Sequence, residues 1–144
     1  MQVAAPTRSS LDEYRNFQER VDRLAQRINQ RFGAEGYQPV HLLAQHHDHE
    51  AVTELFRAAD ICVVTSLHDG MNLVGKEFVA ARDHLQGVLV LSRFAGAARE
   101  LTEALIVNPY HVEETADALH QAATMLPSEQ RERMTALRQH VREF

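Results

Sequence analysis

The chain has 144 residues, 15 basic and 20 acidic, a formal charge of −5 and a single cysteine. That length is one domain's worth of sequence and buries roughly two thirds of the surface an unfolded chain exposes, so no disulfide or metal staple is needed. An acidic balance without a dense Lys or Arg run excludes a nucleic-acid partner or an anionic membrane surface, and no apolar run approaches the roughly 20 residues that span a bilayer.

In chain order, Gln2–Ala5 reads as a short strand ended by Pro6, with Ser9 or Ser10 placed to cap the next element. Leu11, Tyr14, Phe17, Val21, Leu24 and Ile28 recur at three- and four-residue spacing, which predicts a long helix ending near Gly33. Val40–Leu43 is a strand after Pro39, and Glu50–Ala58 a helix turning Val52, Leu55 and Phe56 inward. Ile61–Thr65 is a continuous apolar run, predicting a strand buried on both faces, with Cys62 a small core residue rather than a reactive thiol.

A helix is expected from about Asn72 to Arg82, a buried strand over Gly87–Leu91, and a short helix end with a last strand within Leu101–Val107, stopped by Asn108–Pro109. Val112, Ala116, Leu119 and Ala123 mark an amphipathic helix broken by Pro127, and Met134, Leu137, Val141 and Phe144 face one way on a final one. Alternating strands and helices imply an α/β fold, doubly wound around a mostly parallel sheet, and a single domain over 1–144.

The functional signal lies where the Ile61–Thr65 strand passes through the polar turn Ser66–Asn72 into a helix. In open α/β sheets ligands gather at the carboxyl ends of strands, and a helix start presents unpaired N–H groups and about half a positive charge. The backbone N–H groups of Asn72, Leu73 and Val74 are therefore expected to hold an anion, with Gly70 permitting close approach. Glu77, one turn into the helix, can accept two hydroxyls, and Asp69 can do the same before the helix. His46–His47–Asp48–His49 offers imidazole and carboxylate, but consecutive residues rarely converge on one centre, so no metal site is assigned.

The word Leu67–His68–Asp69–Gly70–Met71–Asn72–Leu73–Val74–Gly75–Lys76–Glu77 resembles the donor-sugar motif of the trehalose-6-phosphate synthases, as do Ala5–Pro6–Thr7–Arg8, Gln45–His46–His47–Asp48, Val88–Ser92, Phe94–Ala98 and Ala104–Tyr110, in the same order. The resemblance covers nearly the whole chain. It implies the Rossmann-like C-terminal domain of a GT-B glycosyltransferase, present as a fragment that lacks the N-terminal domain and the end of the last helix. It implies retaining transfer of glucose from UDP-glucose to glucose 6-phosphate in trehalose biosynthesis, with no cofactor, in the cytoplasm. A homo-oligomer is left open.

By the same resemblance Asp69, Gly70, Met71 and Asn72 contact the glucose, Asp69 as the catalytic residue. Leu73, Val74, Gly75, Lys76 and Glu77 contact the diphosphate and ribose, and Arg8 takes the acceptor's phosphate. The residue matching His47 borders the nucleobase and is commonly apolar and aromatic in the family, so histidine here is a departure that bears on base identity. Phe94–Ala98 is read mainly as packing, with lining of the donor pocket as the weaker alternative. A related transferase using GDP-glucose or making glucosylglycerol phosphate, and a non-catalytic nucleotide-sugar-binding module, are the competing readings.

Overall fold

The computed structural model describes residues 2–3, 12–43, 45 and 47–143. The expectations for Arg8, the Ser9 or Ser10 cap, His46 and Phe144 lie outside the described residues. The chain forms two compact units, Met1–Asp48 and His49–Phe144.

In the first unit, strand β1 (Gln2–Val3) pairs in parallel with β2 (Leu42–Leu43), and the 21-residue helix α1 (Asp12–Phe32) lies between them in sequence. α1 stops near Gly33 as expected, and the chain there admits only glycine, since a Cβ on Gly33 would stand 2.3 Å from the Asn29 carbonyl oxygen. Asn29 then clamps the returning chain: its amide donates to Val40 O at 2.9 Å and its oxygen accepts from Val40 N at 2.8 Å. Of the predicted α1 stripe, Val21 and Ile28 are half-buried, whereas Phe17 and Leu24 are exposed.

The second unit is built on three parallel strands, β3 (Ile61–Val64), β4 (Val88–Ser92) and β5 (Leu105–Val107), in the order β3-β4-β5. Helix α2 (His49–Ala58) precedes β3, and α3 (Leu73–Ala81) connects β3 to β4. Helices α4 (Val112–Thr124) and α5 (Pro127–Glu143) follow β5. Every residue of β4 is buried, as its continuous apolar sequence requires of a central strand. Leu89 and Leu91 join Phe78 and Val79 of α3 and Met134 and Leu137 of α5 in one cluster. Val88 and Val90 join Leu105, Val107, Ala118, Ala122 and Met125 in another. Helices thus cover both faces of the sheet, as the doubly wound reading predicts.

Two expectations are corrected. β3 is not buried on both faces: Val63 is 42% exposed, since α4 rests on β4 and β5 and leaves that position uncovered. On α4 the inward residues are Ala118 and Ala122, not Val112, Ala116, Leu119 and Ala123, all of which are exposed. Two small side chains let the helix approach the strands closely, and the larger apolar stripe falls on the other face.

Arg82, 2% exposed, follows α3 and holds α2, α3 and the 83–87 loop together. Its Nη1 donates to the Phe56 and Arg57 carbonyls at 2.8 and 2.7 Å, its Nε donates to Gln86 O at 2.7 Å, and its guanidinium lies 5.5 Å from the Phe78 ring centroid. The carbonyls at the end of α2 thereby gain a cation where the helix dipole is negative. Gly87, at φ 111°, makes room, since a Cβ there would stand 2.9 Å from Arg82 Nε. Arg82→Met should leave the Phe56, Arg57 and Gln86 carbonyls without this partner and cost about 2–4 kcal/mol in urea denaturation, and Arg82→Lys should restore only part of the loss.

Candidate functional site

The site grows from the carboxyl ends of β3 and β4. Their regular pairing ends at Val64 and Leu91, yet the two loops remain zipped together by an isolated bridge between Asp69 and Ala95. Asp69 N donates to Phe94 O at 3.3 Å, Gly96 N to Asp69 O at 2.9 Å and Ala97 N to Met71 O at 2.8 Å. This contact admits only glycine at 96, because a Cβ there would stand 2.1 Å from Gly70 O and 2.8 Å from Gly70 C. The close approach of the two loops thus rests on Gly96. A Cβ on Gly70 would meet nothing within 4 Å.

Within the turn, Asp69 Oδ1 accepts from the backbone N–H groups of Met71 (3.2 Å) and Asn72 (3.0 Å), while Oδ2 accepts from the Asn72 side-chain amide at 2.9 Å. Asn72 is 3% exposed and left-handed at φ 66°, a conformation asparagine tolerates better than most residues, and its Oδ1 caps Gly75 N at 2.9 Å. The Asn72 amide, reinforced by the two backbone N–H groups and the charge of His68, holds the Asp69 carboxyl below the usual carboxylate range. Asp69 is thus ionised and largely committed to shaping the turn.

The predicted anion site is narrower than expected. Asn72 N–H is engaged by Asp69 and Gly75 N–H by Asn72, leaving Leu73 and Val74 as the open amides at the start of α3. Glu77 is half-buried and, among the described residues, carries no hydrogen bond or ion pair, so its carboxylate is available one turn along. Lys76 is not free: its Nζ lies 2.5 Å from Glu100 Oε2. His47 falls in the first unit, with its Nε2 buried and unpartnered.

Beside the turn lies a cleft of about 650 Å³. Asp69, Gly70, Met71 and Lys76 line it together with His68 and Arg93, Phe94, Gly96, Arg99 and Glu100; Leu73, Val74 and Glu77 do not. The two arginines were missed in the sequence, although Arg93 directly follows a buried strand and Arg99 ends the 3-10 turn Gly96–Arg99, both on the ligand-bearing edge, whereas Phe94 and Gly96 fall in the stretch read as close packing. Cys62 is packed against the core, and burial pushes its thiol up to about 12, as expected of an inert core residue. Among the described residues no group of three His, Cys, Asp or Glu side chains is placed to hold a metal, and no helix is long and apolar enough to cross a membrane.

Residues 1–144 match the profile of glycosyltransferase family 20. The chain belongs to glycosyltransferase family 20. It is 48% identical over 132 residues to an alpha,alpha-trehalose-phosphate synthase (UDP-forming) of Botryotinia fuckeliana, covering 92% of this chain and 25% of that relative. Identity to the trehalose-6-phosphate synthase of Citrobacter koseri is 50% over 125 residues, covering 86% and 26%. A solved E. coli structure bound with UDP-2-fluoro glucose superposes with a TM-score of 0.95 at 44% identity, covering 99% of this chain and 32% of that one. A Burkholderia xenovorans alpha,alpha-trehalose-phosphate synthase (UDP-forming) in complex with glucose-6-phosphate gives 0.95 at 41%, covering 99% and 31%. The chain therefore spans about a quarter to a third of the length of these family members, and the α/β, GT-B reading of its sequence holds.

Gly96→Ala should force the two loops apart and destabilise the protein by about 2–4 kcal/mol, whereas Gly70→Ala should be nearly neutral; paired urea denaturation curves check both. Asp69 gives a pH signature as well. Its folded-state pKa is depressed, so its contribution is whole above the ordinary aspartate value of 3.8 and is lost as pH falls through the lower folded value. The stability gap between the wild-type chain and Asp69→Asn should accordingly shrink as pH is lowered below that value.

Proposed function

We propose that this chain is the donor-binding part of a retaining glucosyltransferase that takes UDP-glucose and passes glucose to glucose 6-phosphate. The observation that carries this reading is the pair of open amides at Leu73 and Val74, followed one turn later by an unengaged Glu77 carboxylate. A diphosphate on the first and a ribose diol on the second fit the spacing of a nucleoside diphosphate. The identity to UDP-forming synthases, and the UDP-2-fluoro glucose and glucose-6-phosphate ligands in solved relatives, support the same reading.

In this scheme the bond between the anomeric carbon and the diphosphate oxygen breaks as the acceptor hydroxyl attacks from the same face. The departing diphosphate takes the hydroxyl proton. The fixed amides of Leu73 and Val74 and the α3 dipole stabilise the charge that develops on the leaving group, with no metal required. Asp69 holds the hexose-facing turn through its bonds to Met71 and Asn72, leaving Oδ2, which accepts a single bond there, as its route to the sugar hydroxyls. Met71 and Gly70 border that space. Arg8 is assigned to the acceptor phosphate and His47 to the nucleobase. The buried thiol of Cys62 accords with a reducing cytoplasm.

Binding rather than turnover is the appropriate test for a chain of this span. UDP should bind the wild-type chain more tightly than 2′-deoxy-UDP, and Glu77→Ala should weaken UDP about tenfold while abolishing the preference for the ribose hydroxyl. Calorimetric titration of the four combinations decides it; an unchanged UDP affinity in Glu77→Ala removes Glu77 from the ribose.

A further inference from the structure

That scheme places the hexose against Asp69, Gly70 and Met71, and it leaves the Arg93 and Arg99 wall of the same cleft unassigned. Three basic side chains, Lys76, Arg93 and Arg99, face two acidic ones there, Asp69 and Glu100. Glu100 is neutralised by Lys76 at 2.5 Å, and the Asp69 carboxylate is taken up by Met71 and Asn72. That leaves the arginines. Arg93 Nη2 has only a loose 3.7 Å contact with Glu114, and Arg99 has no hydrogen bond or ion pair among the described residues. In a chain of net charge −5, two under-compensated guanidinium groups turned into one cavity form an isolated positive locus.

We propose that Arg93 and Arg99 form a second anion site, distinct from the amides at the α3 start, that takes the phosphate of a small phosphate monoester. Guanidinium is suited to this because its planar fork donates two parallel hydrogen bonds to a phosphate, and two such groups match a dianion. The elements that carry them are fixed. Arg93 N donates to Val107 O at 2.9 Å, and the Gly96–Arg99 turn is locked to the other loop through Gly96 N and Ala97 N, so the cavity is preformed. Its volume of about 650 Å³ exceeds what a bare phosphate needs, and Phe94 offers an apolar wall for the body of an ester.

The test is amide NMR of the whole chain at constant ionic strength, titrated separately with inorganic phosphate, phenyl phosphate and UDP, in the wild type, Arg99→Gln and Arg93→Gln. Phenyl phosphate should shift the amides of Arg93–Arg99 saturably, and each substitution should weaken it about tenfold. Inorganic phosphate binding as tightly as the ester would assign the site to the free anion; tighter ester binding assigns it to a monoester. UDP should leave these shifts unaltered, and its affinity should be the same in Arg99→Gln as in the wild type. The proposal is overturned if phosphate and ester perturb only Leu73 and Val74, if neither substitution changes affinity, or if UDP competes with phenyl phosphate for the cleft. A chain that binds phenyl phosphate at Arg93–Arg99 but ignores UDP would remove the donor reading and leave this site standing.

Discussion

The geometry of the site depends on one backbone contact, the seating of Gly96 against the carbonyl of Gly70. Parallel strands ordinarily diverge once their ladder ends, because each feeds a separate crossover. Here the loops after β3 and β4 come back together beyond Val64 and Leu91 at Asp69 and Ala95, with the pairing slipped by one residue, since nothing projects from position 96 to separate them. The consequence is that the start of α3 and the 3-10 turn after β4 behave as one rigid edge. The groups proposed for the diphosphate, the hexose and the second anion all lie on or beside that edge.

Rigidity matters more than the number of donors. Asp69 and Asn72 together satisfy the N–H groups of Met71, Asn72 and Gly75 and hold Asn72 in its left-handed conformation, a cost of about 1 kcal/mol for a non-glycine residue. With those donors occupied, Leu73 and Val74 alone face outward, and they point in a direction set by the helix. Dipoles fixed before the ligand arrives do not reorganise as charge moves onto it, which is where such sites draw their catalytic effect. A turn offering more amides but free to move would serve the proposed leaving diphosphate less.

How far this was legible from residues depends on the range of each interaction. β4 and α3 were readable because a five-residue apolar run and a polar turn before a helix are local signals. The buried face of α4 was misread because sequence periodicity marks an apolar stripe without saying which small residues the strands beneath will accept, and Ala118 and Ala122 fit where Leu119 does not. The pairing of Lys76 with Glu100, 24 residues away, and the reach of Arg82 back to Phe56 and Arg57 are products of tertiary placement. No motif announces them. Gly96 lies between: its Phe-Ala-Gly-Ala-Ala setting suggested close packing, but the partner, Gly70, emerged only with the loops in place.

The distribution of exposed apolar side chains adds a last constraint. Met71, Leu73, Val74 and Phe94 are all exposed, and all sit on the loops and helix start beyond the ends of β3 and β4. Tyr110, Val112 and Leu126 elsewhere in this unit are exposed too, so it is the placement of these four beside the open amides that sets them apart. Apolar groups ringing a polar pair of amides and a free carboxylate lower the local dielectric once a ligand excludes water, which strengthens each charged hydrogen bond made there. The same rim would be a solubility liability if it had no occupant. An edge that combines an apolar collar, two aimed N–H groups and a carboxylate acceptor therefore suits the proposed sugar nucleotide better than a simple ion, for which the collar would add nothing.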